Sequence, residues 1–167
     1  MADAIQPQSS RPHMPGYGTL APDEGSGLLP WSWAEERLTT ARNFWLATIG
    51  DDAQPHLTPV WGFWDGQFLW FTCAIGSRKA RNLWRDPRCT VSTEDAGDPV
   101  VMEGTATVVT DMPTITKLLA AINAKYETNI GIEFADPKVN SLFRITPVRA
   151  FGLKHDDFTG SPTRWTF

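Results

Sequence analysis

Five cations and one acid fall within Gly76–Arg88, GSRKARNLWRDPR. The chemistry open to such a cluster is anion recognition, because Arg offers a planar fork matched to phosphate and carboxylate and Lys a compact point charge. The segment has the pattern of a short helix with Ser77 as its N-cap. Arg78 and Lys79 then fall in the first turn, where the helix dipole is positive and each cation is unfavourable by roughly 0.3–1 kcal/mol. An anion at that end reverses the sign, since the unpaired amides of a helix start also point toward it. At about 100° per residue, Arg78, Arg81, Asn82 and Arg85 share one side of the helix. Ala80, Leu83 and Trp84 take the other, so a cationic outer face and an apolar inner face are expected. A phosphate held by Ser77, Arg78 and Lys79 is the functional reading, and a solvated basic surface is the plain one. For Arg85 and Arg88 both readings stand.

Other groups with chemical capacity are sparse. His56 titrates near neutral pH and is a candidate proton donor, as is Tyr126, although each also fits an ordinary half-exposed strand or helix position. Trp61, Trp64 and Trp165 are candidates for a substrate wall that stacks on a planar molecule, or else for core and subunit packing. Glu103 follows an apolar run within a strand pattern and is expected to be paired at a surface or interface. Cys73 and Cys89 lie in strand-like contexts with no CxxC or metal-ligand spacing and are expected to be reduced and buried. No nucleophile-elbow pattern and no metal site is visible, and His13 and His155 give no signal.

The whole chain bounds these readings. It has 167 residues, a formal net charge of -4, 41% hydrophobic residues and eight Trp, which is one domain's worth with enough apolar area for a core. The acidic balance makes the basic stretch an island and argues against a nucleic-acid binder. No apolar run approaches the roughly 20 residues that span a bilayer, and no secretory leader pattern opens the chain. A cytoplasmic protein is expected, with a small molecule rather than nucleic acid or membrane as its partner.

The elements that must position the cluster follow from periodicity. Residues 1–30 are rich in Pro, Gly and Ser and read as a disordered or loosely docked arm; residues 31–167 form the domain. WSWAEERLTTARNF reads as a helix with Ser32 as N-cap and Glu35 closing a capping box. FWLATIG, PHLTPVWGFW and QFLWFTCAI read as strands separated by DDAQ and the hairpin signal DG. After the basic helix, RCTVSTE and VVMEGTATVVT are strands, and MPTITKLLAAINAKYE is a helix capped by Asp111 or Thr110 with Pro113 near its start. SLFRITPVRAFGLKH and TRWTF supply the last strand or two. Connections too short for parallel crossovers make the fold mainly β with flanking helices, a small antiparallel barrel.

In this order, FTCAIGSRKARNLWRDPRCTVS, ATIGDDAQPHLTPVWGFWDGQFLWFT, VVMEGTATVVTD and the closing TRWTF resemble the pyridoxamine 5'-phosphate oxidase-like flavin split barrels, over about residues 31–151. The resemblance implies a six-stranded split β-barrel of the FMN-binding type, a homodimer, and cofactor sites at the dimer interface. Arg78 and Lys79 match the positions that bind the cofactor phosphate, and Phe71 and Thr72 match the pair contacting the ring and ribityl region. Leu57–Gly62, with Thr58, Pro59, Val60 and Trp61, matches the segment beside the ring edge. This segment lacks the Arg and Lys that the vitamin B6 oxidase places at its two ends. TPVWGFW, SRKARNL and the Arg-Trp of the tail are more similar to the branch using the deazaflavin coenzyme F420, whose phosphodiester and oligoglutamate tail would suit the further cations Arg81, Arg85 and Arg88; Ser77 and Asn82 are counted with the cofactor-binding residues. The resemblance thus implies hydride transfer between F420 and a small planar acceptor such as an enone or quinone. An FMN-dependent oxidoreductase and a non-catalytic F420- or heme-binding carrier are the alternatives.

Overall fold

The computed structural model describes residues 6–167. Eight strands and three α-helices are present: β1 (Gln8–Ser10), α1 (Trp31–Thr40), β2 (Asn43–Ile49), β3 (Pro55–Trp64), β4 (Leu69–Ala74), α2 (Arg78–Arg85), β5 (Arg88–Thr93), β6 (Val100–Val109), α3 (Met112–Tyr126), β7 (Asn140–Gly152) and β8 (Thr163–Thr166). The strand order is β1-β8-β7-β4-β3-β2-β5-β6, all antiparallel, and β6 also pairs with β7. That last pairing closes β2 to β7 into a six-stranded barrel, the expected split-barrel class. β8 and β1 extend it outward from β7, two strands that form no part of the closed ring.

Alternation along the strands fills the barrel. In β2, Phe44, Leu46 and Thr48 are buried; in β3, Val60, Gly62 and Trp64. Phe71 and Phe143 stack across the interior with centroids 5.1 Å apart. Gly62 is glycine for a steric reason: a Cβ there would lie 2.7 Å from the Phe44 ring. The Asp65-Gly66 signal produces a four-residue loop. There Asp65 Oδ1 accepts the Gln67 and Phe68 amides at 2.8 and 2.7 Å, while Gly66 takes φ +96°.

α1 closes one end of the barrel with Trp31, Ala34 and Leu38 buried. Its start departs from the expected capping box. The helix begins at Trp31, Pro30 is the N-cap, and no side chain caps it. Pro30 fixes an extended φ one residue earlier, so Ser32 is already inside the first turn. α2 sits over the opposite end on β2. α3 is capped by Asp111, whose Oδ1 accepts the Thr114 amide at 3.0 Å.

Over residues 6–30, the segment expected as an arm is held by specific bonds. β1 pairs with β8, Arg11 Nη1 donates to the Pro162 carbonyl at 2.6 Å, and the Leu29 amide donates to Thr163 Oγ1 at 2.8 Å. Residues 1–5 lie outside the described residues. Leu29 is buried against an aromatic cluster in which Trp31 packs edge-on to Trp64, Trp165 and Phe167 at 6.1, 5.6 and 5.0 Å. Trp165 is 0% exposed and Trp64 4%. This corrects the substrate-wall reading of both residues: α1 and β8 enclose their rings, and no face is left for a ligand.

Truncating a fully buried aromatic costs the transfer term plus a cavity, about 3–5 kcal/mol. Trp165→Ala should lose that much in urea denaturation; a loss below about 1 kcal/mol would show that the cluster does not anchor α1 and β8.

Candidate functional site

β4 ends at Ala74, and the chain turns through Ile75 and Gly76 into α2. Ser77 caps the helix, its Oγ accepting the Ala80 amide at 3.3 Å. α2 buries Ala80, Asn82 and Leu83, while Trp84 is 51% exposed. The expected faces are therefore exchanged at two residues. Asn82 points inward because its amide donates to Thr48 Oγ1 of β2 at 2.9 Å, a partner that satisfies a buried polar group. Trp84 is left at the edge of the helix footprint.

The cations sort themselves by partner. Arg88 is paired with Asp86 at 2.6 Å and holds that carboxyl down to about 2, so it is not free for a ligand. Arg81 donates to the Gly76 carbonyl and Arg85 to the Ile49 carbonyl, two anchors that order the helix start and the end of β2. Among the described residues Arg78 and Lys79 have no carboxylate and no hydrogen-bonded acceptor. Arg78 lies over the 50–54 turn, where a Cβ on Gly50 would be 3.3 Å from its Nη2.

His56, on β3, is in the same field. Burial, then Arg78, then Lys79, hold its imidazole below the ordinary 6.5. Its Nδ1 is 3.5 Å from Thr48 Oγ1, the hydroxyl that Asn82 engages. Asn82, Thr48 and His56 thus form a line running from the inner side of α2 to β3, and Thr48 and this use of Asn82 were not visible in the sequence.

β3 changes partner along its length. Pro55–Trp61 pair with β2, whereas Gly62–Trp64 pair with β4. Beyond the start of β2 the Gly62 backbone finds substitutes: its amide donates to Tyr126 Oη at 2.8 Å and its carbonyl accepts Lys125 Nζ at 2.7 Å. Tyr126 also donates to the Arg42 carbonyl just before β2. These bonds show that Gly62 faces its polar groups toward β2. Successive residues of a strand face opposite edges. Leu57, Pro59 and Trp61 therefore turn theirs to the other edge; the Gly62–Phe71 rung makes Trp61 the last of them to meet β4, at Thr72, and Leu57 and Pro59 lie beyond the residues of β4 that pair with β3. This open edge is the split in the barrel, and it runs beside the start of α2.

The remaining candidates take distinct places. Pro59 and Trp61 are exposed on the outer face, and Thr58 is half-buried. Val60 is 6% exposed and Phe71 0%, both facing the interior, so only their backbone can meet a ligand. That corrects the ring contact expected of the Phe71 side chain. Thr72 is half-buried and lines an apolar cavity of about 190 Å3 under α3, with Trp84 at its rim. Trp61 stacks on Tyr126, centroids 4.4 Å apart and planes 4° apart. Tyr126 is buried, and its hydroxyl is spent on Gly62 and Arg42, which makes it a structural brace and not a proton donor. Burial brings its neighbour Lys125 down to about 8, a perturbation sequence reasoning missed. Glu103 pairs with Arg149 at 2.8 Å. Cys73 and Cys89 are free thiols, both buried.

With this geometry in hand, comparison with known proteins is informative. A family model described as pyridoxamine 5'-phosphate oxidase matches residues 33–154, and the chain belongs to that family. Its fold is similar to a conserved hypothetical protein of Mycobacterium tuberculosis, at 28% identity and TM-score 0.65, covering 76% of this chain and 86% of that one. It is similar to an F420 reductase at 23% identity and TM-score 0.59, covering 70% and 94%. A NimC/NimA family protein of Clostridium acetobutylicum is similar at 15% identity and TM-score 0.63, covering 81% and 92%. No curated protein matches the sequence. The chain carries the fold of the pyridoxamine 5'-phosphate oxidase family. No helix among the described residues is long and apolar enough to cross a membrane.

Two predictions follow from the geometry. Tyr126→Phe leaves buried backbone groups of Gly62 and Arg42 unpaired, at about 1–3 kcal/mol; thermal or urea unfolding should show that loss, and an unchanged stability would contradict the bracing role. An anion between Arg78 and Lys79 would cancel the charge that depresses His56. Followed by NMR, the His56 pKa should rise on adding sulfate, and an unmoved titration curve would contradict an anion site here.

Proposed function

We propose that this protein is an F420-dependent reductase, acting in the cytoplasm as a homodimer on a small organic acceptor such as an enone or quinone. The observation that carries the reading is the pair Arg78 and Lys79, left without a negative partner at the helix start beside the open edge of β3. The residues present fit such a group. A phosphate would meet two cations together with the first-turn amides of α2. The Leu57 amide and carbonyl and the Pro59 carbonyl, beyond the β4 ladder, are open to the polar edge of a flat ring. Arg81 and Arg85 are exposed, form no ion pair, and extend the positive surface along α2, which would suit an anionic tail. The fold likeness to an F420 reductase agrees with this reading.

When bound, the deazaflavin supplies the hydride chemistry, and the protein supplies position and electrostatics. Arg78 and Lys79 would hold the phosphate, and the free edge of β3 would meet the ring. His56, whose imidazole is held below its ordinary value by burial and then by Arg78 and Lys79, borders the same cations and would be placed to exchange a proton there. The homodimer is supported by the outer face of β2 and β3, where Trp45, Leu57 and Trp61 are 43%, 61% and 50% exposed. Apolar groups of that size in one patch commonly mark a subunit contact.

The test is a fluorescence titration with F420 and, separately, FMN. F420 should bind the wild-type chain more tightly than FMN. Hydrogen bonds to charged groups are worth about 1.5–3 kcal/mol, so Arg78→Ala with Lys79→Ala should weaken F420 binding by roughly a hundredfold or more. Equal affinity in wild type and double variant would sink the proposal, and tight FMN binding without an F420 response would replace the cofactor.

A further inference from the structure

The cavity under α3 plays no part in holding a phosphate. Ile115, Leu118 and Ile122 of α3 form one wall, and Val109 of β6 and Leu142 of β7 form the other. Phe134, in the 3-10 turn Ile132–Ala135, lies across the top, its carbonyl tied down by Asn140 Nδ2 at 2.8 Å. No Asp, Glu, Lys, Arg or His lines the space. The polar lining includes the hydroxyls of Thr72 and Thr110, neither of which has a side-chain hydrogen-bond partner among the described residues. Trp84 stands 51% exposed at the rim, on the same helix that carries Arg78 and Lys79.

From this we infer that the cavity is a binding site for an uncharged, flat, largely apolar molecule of one or two rings carrying a single polar group. The volume sets the size: about 190 Å3 compares with roughly 150 Å3 for an apolar cavity that takes benzene. The lining sets the charge, since an ion in such a space would lose its hydration with nothing to replace it. Thr72, with Ser141 and Asn140 in the same lining, sets the polar contact. Trp84 supplies an aromatic platform at the entrance, which accounts for a large apolar side chain left half in water on a strongly basic helix. Binding here stands apart from the cofactor reading. Use of the cavity as the acceptor site rests on that reading, because Thr72 and Trp84 belong to the same strand and helix that border the cation pair.

The experiment compares two probes with the same ring system, 2-naphthol and naphthalene-2-sulfonate, by fluorescence titration of the full-length protein without cofactor. 2-Naphthol should bind at one site per chain, and the sulfonate at least tenfold more weakly. Ala135→Trp and, separately, Thr110→Trp place an indole in the space from its roof and its rim. Each should weaken 2-naphthol at least tenfold while circular dichroism and F420 titration stay as in wild type. Equal binding of both probes would overturn the inference, as would 2-naphthol binding that survives both Trp variants. A change of molecular mass in the Trp variants would overturn it too, since the cavity would then be part of a subunit contact. Wild-type protein that binds 2-naphthol but not F420 would count against the cofactor and leave this site standing.

Discussion

Two like charges that form no ion pair, although Asp52 borders the same Gly50 turn as Arg78, set the terms for this structure. Arg78 and Lys79 occupy the positive end of α2, and three of the five cations in that segment have already been matched: one to a carboxylate, two to backbone carbonyls. The unmatched pair costs little while solvent screens it, since exposed charges interact weakly in water. It becomes favourable only when an anion arrives. Helix, turn and strand around it keep the pair in place.

The barrel supplies the other half of the arrangement. A closed six-stranded ring ordinarily leaves no free edge. Here β3 trades β2 for β4 at Gly62, and the rungs lost in the exchange are replaced on one side only, by Tyr126 and Lys125. The other side leaves the backbone groups of Leu57 and the Pro59 carbonyl beyond the β4 ladder. Because α2 leaves β4 beside this gap, charge recognition and flat-ring recognition fall next to each other on one face. The aromatic cluster of Trp31, Trp64 and Trp165 at the far end holds the closure that makes this possible.

Much of this was legible in the sequence because it is local. Alternating apolar residues gave the strands, and the Ser77 and Asp111 caps lie within three residues of the amides they satisfy. What failed depended on residues distant in the chain. Asn82 turns inward only because Thr48, 34 positions earlier, offers it a hydroxyl. Trp165 is buried because α1 covers it, and the polar Gln8–Ser10 strand has no apolar rhythm to announce its pairing with β8. Phe71 was matched to a family position beside the ring, yet its side chain is buried in the barrel interior. The Ser32 cap failed for the opposite reason: a local signal was overruled by the proline two residues before it.

The account turns on where a cofactor phosphate sits. A crystal structure of the protein with F420 should place phosphate oxygens within hydrogen-bonding distance of both the Arg78 guanidinium and the Lys79 ammonium, with the ring along the free edge of β3. A bound cofactor whose phosphate lies away from these two side chains would contradict it.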